Sequence, residues 1–193
     1  IAYPGNDTSG ATVPHGLGVT PGLIMVKRAN GADNWWTHFR TFTGPQYVLV
    51  NYNNAVATAT AVWNDTLPTD AVFSIGNDSG INASGGTYVA YCFAPITGYS
   101  AMGSYAGNGN ADGTFIYTGF RPAYVIIKKT SGGADWFMWD NKRGPINVNE
   151  ASLSPNNTSV ETTLKMDFIS NGFKFRDSNA DTNSSGDFVY AAW

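Results

Sequence analysis

Two octapeptides about a hundred residues apart set the terms for this fold: Pro21-Gly-Leu-Ile-Met-Val-Lys-Arg28 and Pro122-Ala-Tyr-Val-Ile-Ile-Lys-Lys129. Each is a proline, two residues that include a Gly or Ala, a short unbroken apolar run and two basic residues. A run of about 4–8 apolar residues rich in Val and Ile, bounded by turn signals, reads as a strand buried on both faces. The proline suits the first position of such a strand, where no ladder donor is lost. Two of them at wide spacing predict one β architecture built twice.

The surrounding blocks repeat in the same order. Tyr3-Pro-Gly-Asn6 matches Tyr105-Ala-Gly-Asn108, and His15–Pro21 matches Tyr117–Pro122 with one residue of slack. Past the two strands, Asp33-Asn-Trp-Trp36 matches Ala134-Asp-Trp-Phe137, Gly44-Pro45 matches Gly144-Pro145, and Asn82–Phe93 matches Asn183–Trp193. Ordered self-similarity of this kind points to an internal duplication. The first unit is expected over residues 1–104 and the second, shortened at its C-terminal end, over 105–193.

Strands are expected near Leu23–Arg28, Trp35–Thr41, Tyr47–Asn51, Ala59–Trp63, Ala71–Ile75 and Thr87–Phe93 in the first unit. In the second they are expected near Thr114–Tyr117, Tyr124–Lys129, Asp135–Asp140, Val160–Phe168, Phe173–Arg176 and Asp187–Trp193. Turn signals such as Asn171-Gly172 separate them. No segment keeps an i, i+3, i+4 apolar pattern for three turns, so helix should be scarce. The pattern predicts an all-β chain of two tandem antiparallel β-sandwich units, jelly-roll-like. A single larger concanavalin-like sandwich built from both halves is the alternative.

Composition narrows the function classes. Of 193 residues, 14% are aromatic and only 13% charged, which provides a large core and little charged surface. The net charge of -3 is scattered, against the basic patch of a nucleic-acid binder. Cys92 is the only cysteine, so no internal disulfide and no cysteine-based metal site can form. It reads as a small buried hydrophobe. No run of eighteen apolar residues predicts a membrane-spanning helix. The chain opens on Ile1 and stops at Trp193 inside a strand-like run, and so reads as a segment of a longer polypeptide.

Few residues carry chemistry. Adjacent aromatics on a strand point to opposite faces, so one of Trp35 and Trp36 should face outward. With Trp136-Phe-Met-Trp139 in the second unit, this makes Trp36, Trp139 and Phe137 the candidates for a sugar-stacking platform or an interface anchor. Asp177, Asn179 and Asp181 are spaced like the first half of a calcium loop. That loop's central glycine and closing glutamate are replaced by Thr182 and Phe188, so an Asx-turn loop is the favoured reading. Seven Asn-x-Ser/Thr sequons, at Asn6, Asn64, Asn77, Asn82, Asn156, Asn157 and Asn183, fall where turns want those residues anyway. His15 and His38 have no partner at metal or triad spacing. Glu150 and Glu161 are the only glutamates, which leaves a paired-carboxylate site poorly supplied. Neither catalysis nor a cofactor is expected.

In its arrangement of blocks the chain resembles a β-rich tandem repeat of structural and tail-fibre proteins of tailed bacteriophages, marine ones especially. The likeness rests on Pro21–Arg28, Val62-Trp-Asn-Asp-Thr66, Asn82–Phe93, Gly98–Asn108, Asp112–Lys129 and Ser170-Asn-Gly-Phe173. It implies a non-catalytic virion component on the extracellular particle, with a role in host adsorption. Its partners would be copies of itself or other virion proteins and a host-surface glycan. Three alternatives stand beside it. One is a carbohydrate-binding module of a secreted or surface bacterial protein, and another a capsid decoration or filament-forming protein. The last is a depolymerising tailspike, which needs two carboxylates about 5–10 Å apart in a cleft.

Overall fold

The computed structural model describes residues 1–145 and 147–193. Two compact units divide the chain: Ile1–Asn51 with Val56–Ala94, and Tyr52–Ala55 with Pro95–Trp193. The boundary expected between residues 104 and 105 falls inside a strand of the second unit, so the division lies about ten residues earlier.

The first unit contains β1 (Ala2–Pro4), β2 (Ala11–Pro14), β3 (Leu23–Arg28), β4 (Trp35–Phe39), β5 (Gln46–Leu49), β6 (Ala57–Thr58), α1 (Thr60–Trp63), β7 (Val72–Ile75), α2 (Ser79–Asn82) and β8 (Thr87–Phe93). One sheet has the order β1-β8-β3-β4-β5-β6, and β2 pairs with β7. The core lies between them: Ile24, Val26 and Ala90 from the large sheet meet Val13, Phe73 and Ile75 from the small one. The single-turn helices α1 and α2 complete the second layer with Val62, Trp63 and Ile81.

The second unit contains β9 (Ala101–Gly107), β10 (Phe115–Tyr117), β11 (Tyr124–Lys129), β12 (Trp136–Asp140), β13 (Asn149–Ser152), β14 (Thr162–Ile169), β15 (Gly172–Phe175) and β16 (Gly186–Ala192). Its sheets have the orders β12-β11-β16-β9 and β10-β15-β14-β13. Val125, Ile127 and Phe188 of one sheet pack against Met166, Phe168, Phe173 and Phe175 of the other. This is an antiparallel β-sandwich, and each fully buried aromatic or aliphatic side chain stabilises it by about 1.5–3 kcal/mol. The first strand pairs with the last and the second with the seventh, the wrapped pairing of a jelly roll. The fourth strand stays beside the third and the sixth beside the seventh, so hairpins complete each sheet.

Both units share the core pairing order: β1-β8-β3-β4 corresponds to β9-β16-β11-β12, and β2-β7 to β10-β15. They differ where β14 stands. The corresponding stretch of the first unit, read from sequence as a strand over Ala59–Trp63, instead makes the helical turn α1. Asn64, in the left-handed region at φ 55°, returns its N–H to Thr60 O and closes that turn. Only Ala57–Thr58 remains extended, as β6.

The two apolar octapeptides form the sheet centres, with one face rather than both in the core. Ile24, Val26, Val125 and Ile127 are at most 1% exposed, while Met25 and Ile126 on the opposite face are half-buried. A sandwich buries one face of each sheet against the other, which leaves alternate residues outside the core. The prolines stand just before the ladder: Gly22 N–H already donates to Phe93 O, and Ala123 N–H to Trp193 O.

Candidate functional site

The three aromatic candidates are core residues. Trp36 aligns with Val26 across the β3–β4 ladder, which turns it inward against Tyr47, with ring centroids 4.9 Å apart. Its indole N–H donates to Asp33 Oδ1 at 3.3 Å. Phe137 and Trp139 align with Ile127 and Val125 and so face the second core. Trp139 is fully buried, and its N–H donates to Leu164 O at 3.0 Å. The outward member of the first pair is Trp35, half-buried and stacked on exposed Tyr91 at 6.1 Å. Parity along each strand was readable. Which parity faces the core is set by cross-strand register.

The polar residues singled out from sequence serve the fold. Asn82 and Asn183 are both fully buried. Asn82 Oδ1 accepts from Asn6 N–H at 2.9 Å, and its Nδ2 donates to Gly76 O at 2.7 Å and Thr8 O at 3.1 Å. Asn183 does the same work in the second unit. Its Oδ1 accepts from Thr114 and Asn108 N–H groups, and its Nδ2 donates to Asn110 O and Asp177 O. A tyrosine accompanies each: Tyr3 OH donates to Ile81 O at 2.9 Å and Tyr105 OH to Thr182 O at 2.7 Å. Tyr3 stacks on Tyr88 and Tyr105 on Phe188. Burial pushes both phenols far above their ordinary range. These Tyr–Asn pairs tie the loop before the last strand to the loop after the first.

The calcium-like stretch resolves into Asx turns. Asp177 Oδ1 accepts from Asn179 N–H and Oδ2 from Lys165 N–H, while Asn179 Oδ1 accepts from Asp181 N–H. Among the described residues no cluster of three His, Cys, Asp or Glu side chains is arranged to hold a metal ion. His15 Nδ1 accepts from Leu17 N–H, and its Nε2 donates to Thr69 O. His38 is sealed against Trp63 and Phe42 with Nδ1 on Gln46 O, and burial lowers its pKa.

One accessible feature with the dimensions of a ligand site is a cleft of about 450 Å³ in the second unit, lined by residues 95–97, 100–102 and 117–119. One wall is a tight turn. Tyr99 N–H donates to Ile96 O, Gly98 sits at φ 77°, and Ile96 and Ser100 close the bridge. A positive φ at the third position of such a turn calls for glycine. The other wall is the end of β10. Phe115 and Tyr117 flank buried Ile116 and therefore face outward, with Tyr117 67% exposed. The Tyr117 ring lies beside Gly119, which sits at φ 84°, and Thr118 and Gly119 N–H groups are both held by Asn171 O. No side chain charged at neutral pH lines the cleft. Sequence reading passed over Tyr117. The signal was there, since an edge strand with aromatics at both outward positions around a core isoleucine is unusual for a solvated face.

A family model described as a domain of unknown function, DUF7483, matches residues 1–193. The chain belongs to the DUF7483 family. No curated protein and no solved structure matches it. The family's description assigns no activity, so the chemistry of this DUF7483 chain is read from its own residues. Among those described, no helix is long and apolar enough to cross a membrane.

Proposed function

We propose that this DUF7483 chain is a non-enzymatic structural module of a bacteriophage virion, part of a tail fibre or another surface appendage, that serves assembly and attachment to the host surface. It consists of two units derived from one duplicated module. The observation that carries this reading is where the polar side chains go. Both histidines, the buried asparagines and the Asp177 loop are spent on holding strands and turns. The accessible cleft presents an aromatic ring and hydroxyls instead of ionisable groups. That division suits a part that binds or packs, and it suits a fold that must be stable without disulfides. The phage assignment itself rests on the sequence resemblance.

The test is competition for adsorption. Purified chain, added to host cells before the phage that encodes it, should slow adsorption in a dose-dependent way. Unchanged adsorption at saturating protein would argue against the attachment role. A second reading, a carbohydrate-binding module of a secreted or surface bacterial protein, is favoured by the same neutral aromatic cleft. It would show as binding to a polysaccharide without any effect on phage adsorption.

A further inference from the structure

We infer that the cleft between the 96–100 turn and the end of β10 is a binding site for a neutral saccharide, with Tyr117 as its stacking platform. The inference deepens the attachment role proposed above and takes its biological meaning from it, but the site is argued from its own geometry.

Size comes first. A volume of about 450 Å³ lies within the roughly 300–1,000 Å³ typical of small-molecule sites. Charge comes next: with no Asp, Glu, Lys, Arg or His in the lining, an anionic or cationic ligand would lose hydration without gaining a counter-charge. That selects an uncharged occupant. The lining then mixes two chemistries. Tyr117 offers an aromatic face, and Ile96 and Met102 add apolar surface, while Thr97 and Tyr117 contribute hydroxyls that make no hydrogen bond to the described residues. Sugar rings need that mixture, with C–H groups for the ring face and hydroxyls for the donors and acceptors. A purely apolar ligand would leave the hydroxyls unmatched on binding.

Both walls are also held in place before any ligand arrives. Asn171 O fixes the backbone of Thr118 and Gly119, and the Thr118 hydroxyl donates to Phe120 O at 2.6 Å. The opposite turn is pinned by Ile96 N–H donating to Ser100 Oγ at 3.0 Å. Fixed walls lower the ordering cost of binding, which weak glycan contacts cannot easily offset.

The experiment uses the whole purified chain on an array of neutral oligosaccharides built from hexoses and N-acetylhexosamines, with sialylated and sulfated ones alongside. Titration calorimetry on the best neutral hit follows. Retention of neutral glycans is expected. Tyr117→Ala should weaken binding about tenfold, as loss of a ring-stacking contact would, and Tyr117→Phe should keep most of it. Tyr117 is exposed, so neither variant threatens folding, and Tyr91→Ala, in the first unit, should leave binding unchanged. The site is overturned if no neutral glycan binds at millimolar concentration, if Tyr117→Ala binds as the native chain does, or if anionic glycans bind best. A mass by light scattering that falls on Tyr117→Ala would also overturn it, by making the cleft a contact between copies. A chain found in virions that binds no neutral glycan removes this site and leaves the virion role standing. Glycan binding through Tyr117 by a chain absent from virions does the reverse.

Discussion

At the residue scale the account turns on buried polar groups with specific partners. Asn82→Ala removes a side chain that serves Asn6 N–H, Gly76 O and Thr8 O, and leaves those groups poorly matched. The expected cost is about 2–3 kcal/mol, read from urea unfolding. Asn183→Ala should cost a similar amount, and a change below about 0.5 kcal/mol would mean the Tyr–Asn pairs do not hold the units closed. Lys128 is a different case. It is fully buried on β11, its Nζ donates to Lys129 O at 2.9 Å, and Asn53 O lies at 3.5 Å. Burial pushes its pKa down to about 8, against the pull of the Asp181 and Asp135 carboxylates. The folded state then holds this proton less tightly than the unfolded chain, whose lysines titrate near 10.5. Between those values the unfolded state binds more protons, so the lysine's contribution to stability rises with pH. Relative to Lys128→Met, the native chain should gain stability from about pH 8 to 10.5 and show a flat difference below pH 7. A difference independent of pH would contradict the buried ammonium.

At the element scale the strand ends matter, because there the chain passes backbone against backbone. Gly5, just beyond β1, and Gly107, at the end of β9, occupy corresponding places. A Cβ on Gly5 would drive into Ala83 O, and one on Gly107 into Ser184 O. Gly5→Ala and Gly107→Ala should each lower stability by about 1–3 kcal/mol through forced displacement of that loop. Thermal unfolding of the two variants checks this, and a neutral result at either would show the loop able to yield. Elements were also where sequence reasoning worked best and where it stopped. The central strands were legible from their apolar runs. Short edge strands such as Ala2–Pro4 and Asn149–Ser152 were not, because ladder partners rather than composition make them extended. The α1 turn escaped for the same reason, since Ala59–Trp63 has a strand's apolar content and only the left-handed Asn64 shows it closing on itself. Trp36, Phe137 and Trp139 stand out in the sequence, but alternation gives two faces without naming the inner one, and the register turns all three into the cores. The cleft depends on residues from two segments, the 95–102 turn and the end of β10, which only the fold brings together.

At the scale of the whole molecule, the two units repeat one pairing order and one Tyr–Asn closure in a chain with a single cysteine and 13% charged residues. Each unit has its own aromatic core, so stability comes from packing and buried hydrogen bonds, without a disulfide between segments. The proposed particle role asks for a fold that holds without disulfides, and packing and buried hydrogen bonds supply that here. The most direct measurement is immunogold electron microscopy of purified phage particles, with antibody raised against this chain and mass spectrometry of the same particles. The account predicts gold on the tail or another surface appendage and peptides from both units in the particle digest. Particles free of label and peptide, with the chain recovered only from the infected cell or its medium, would contradict it.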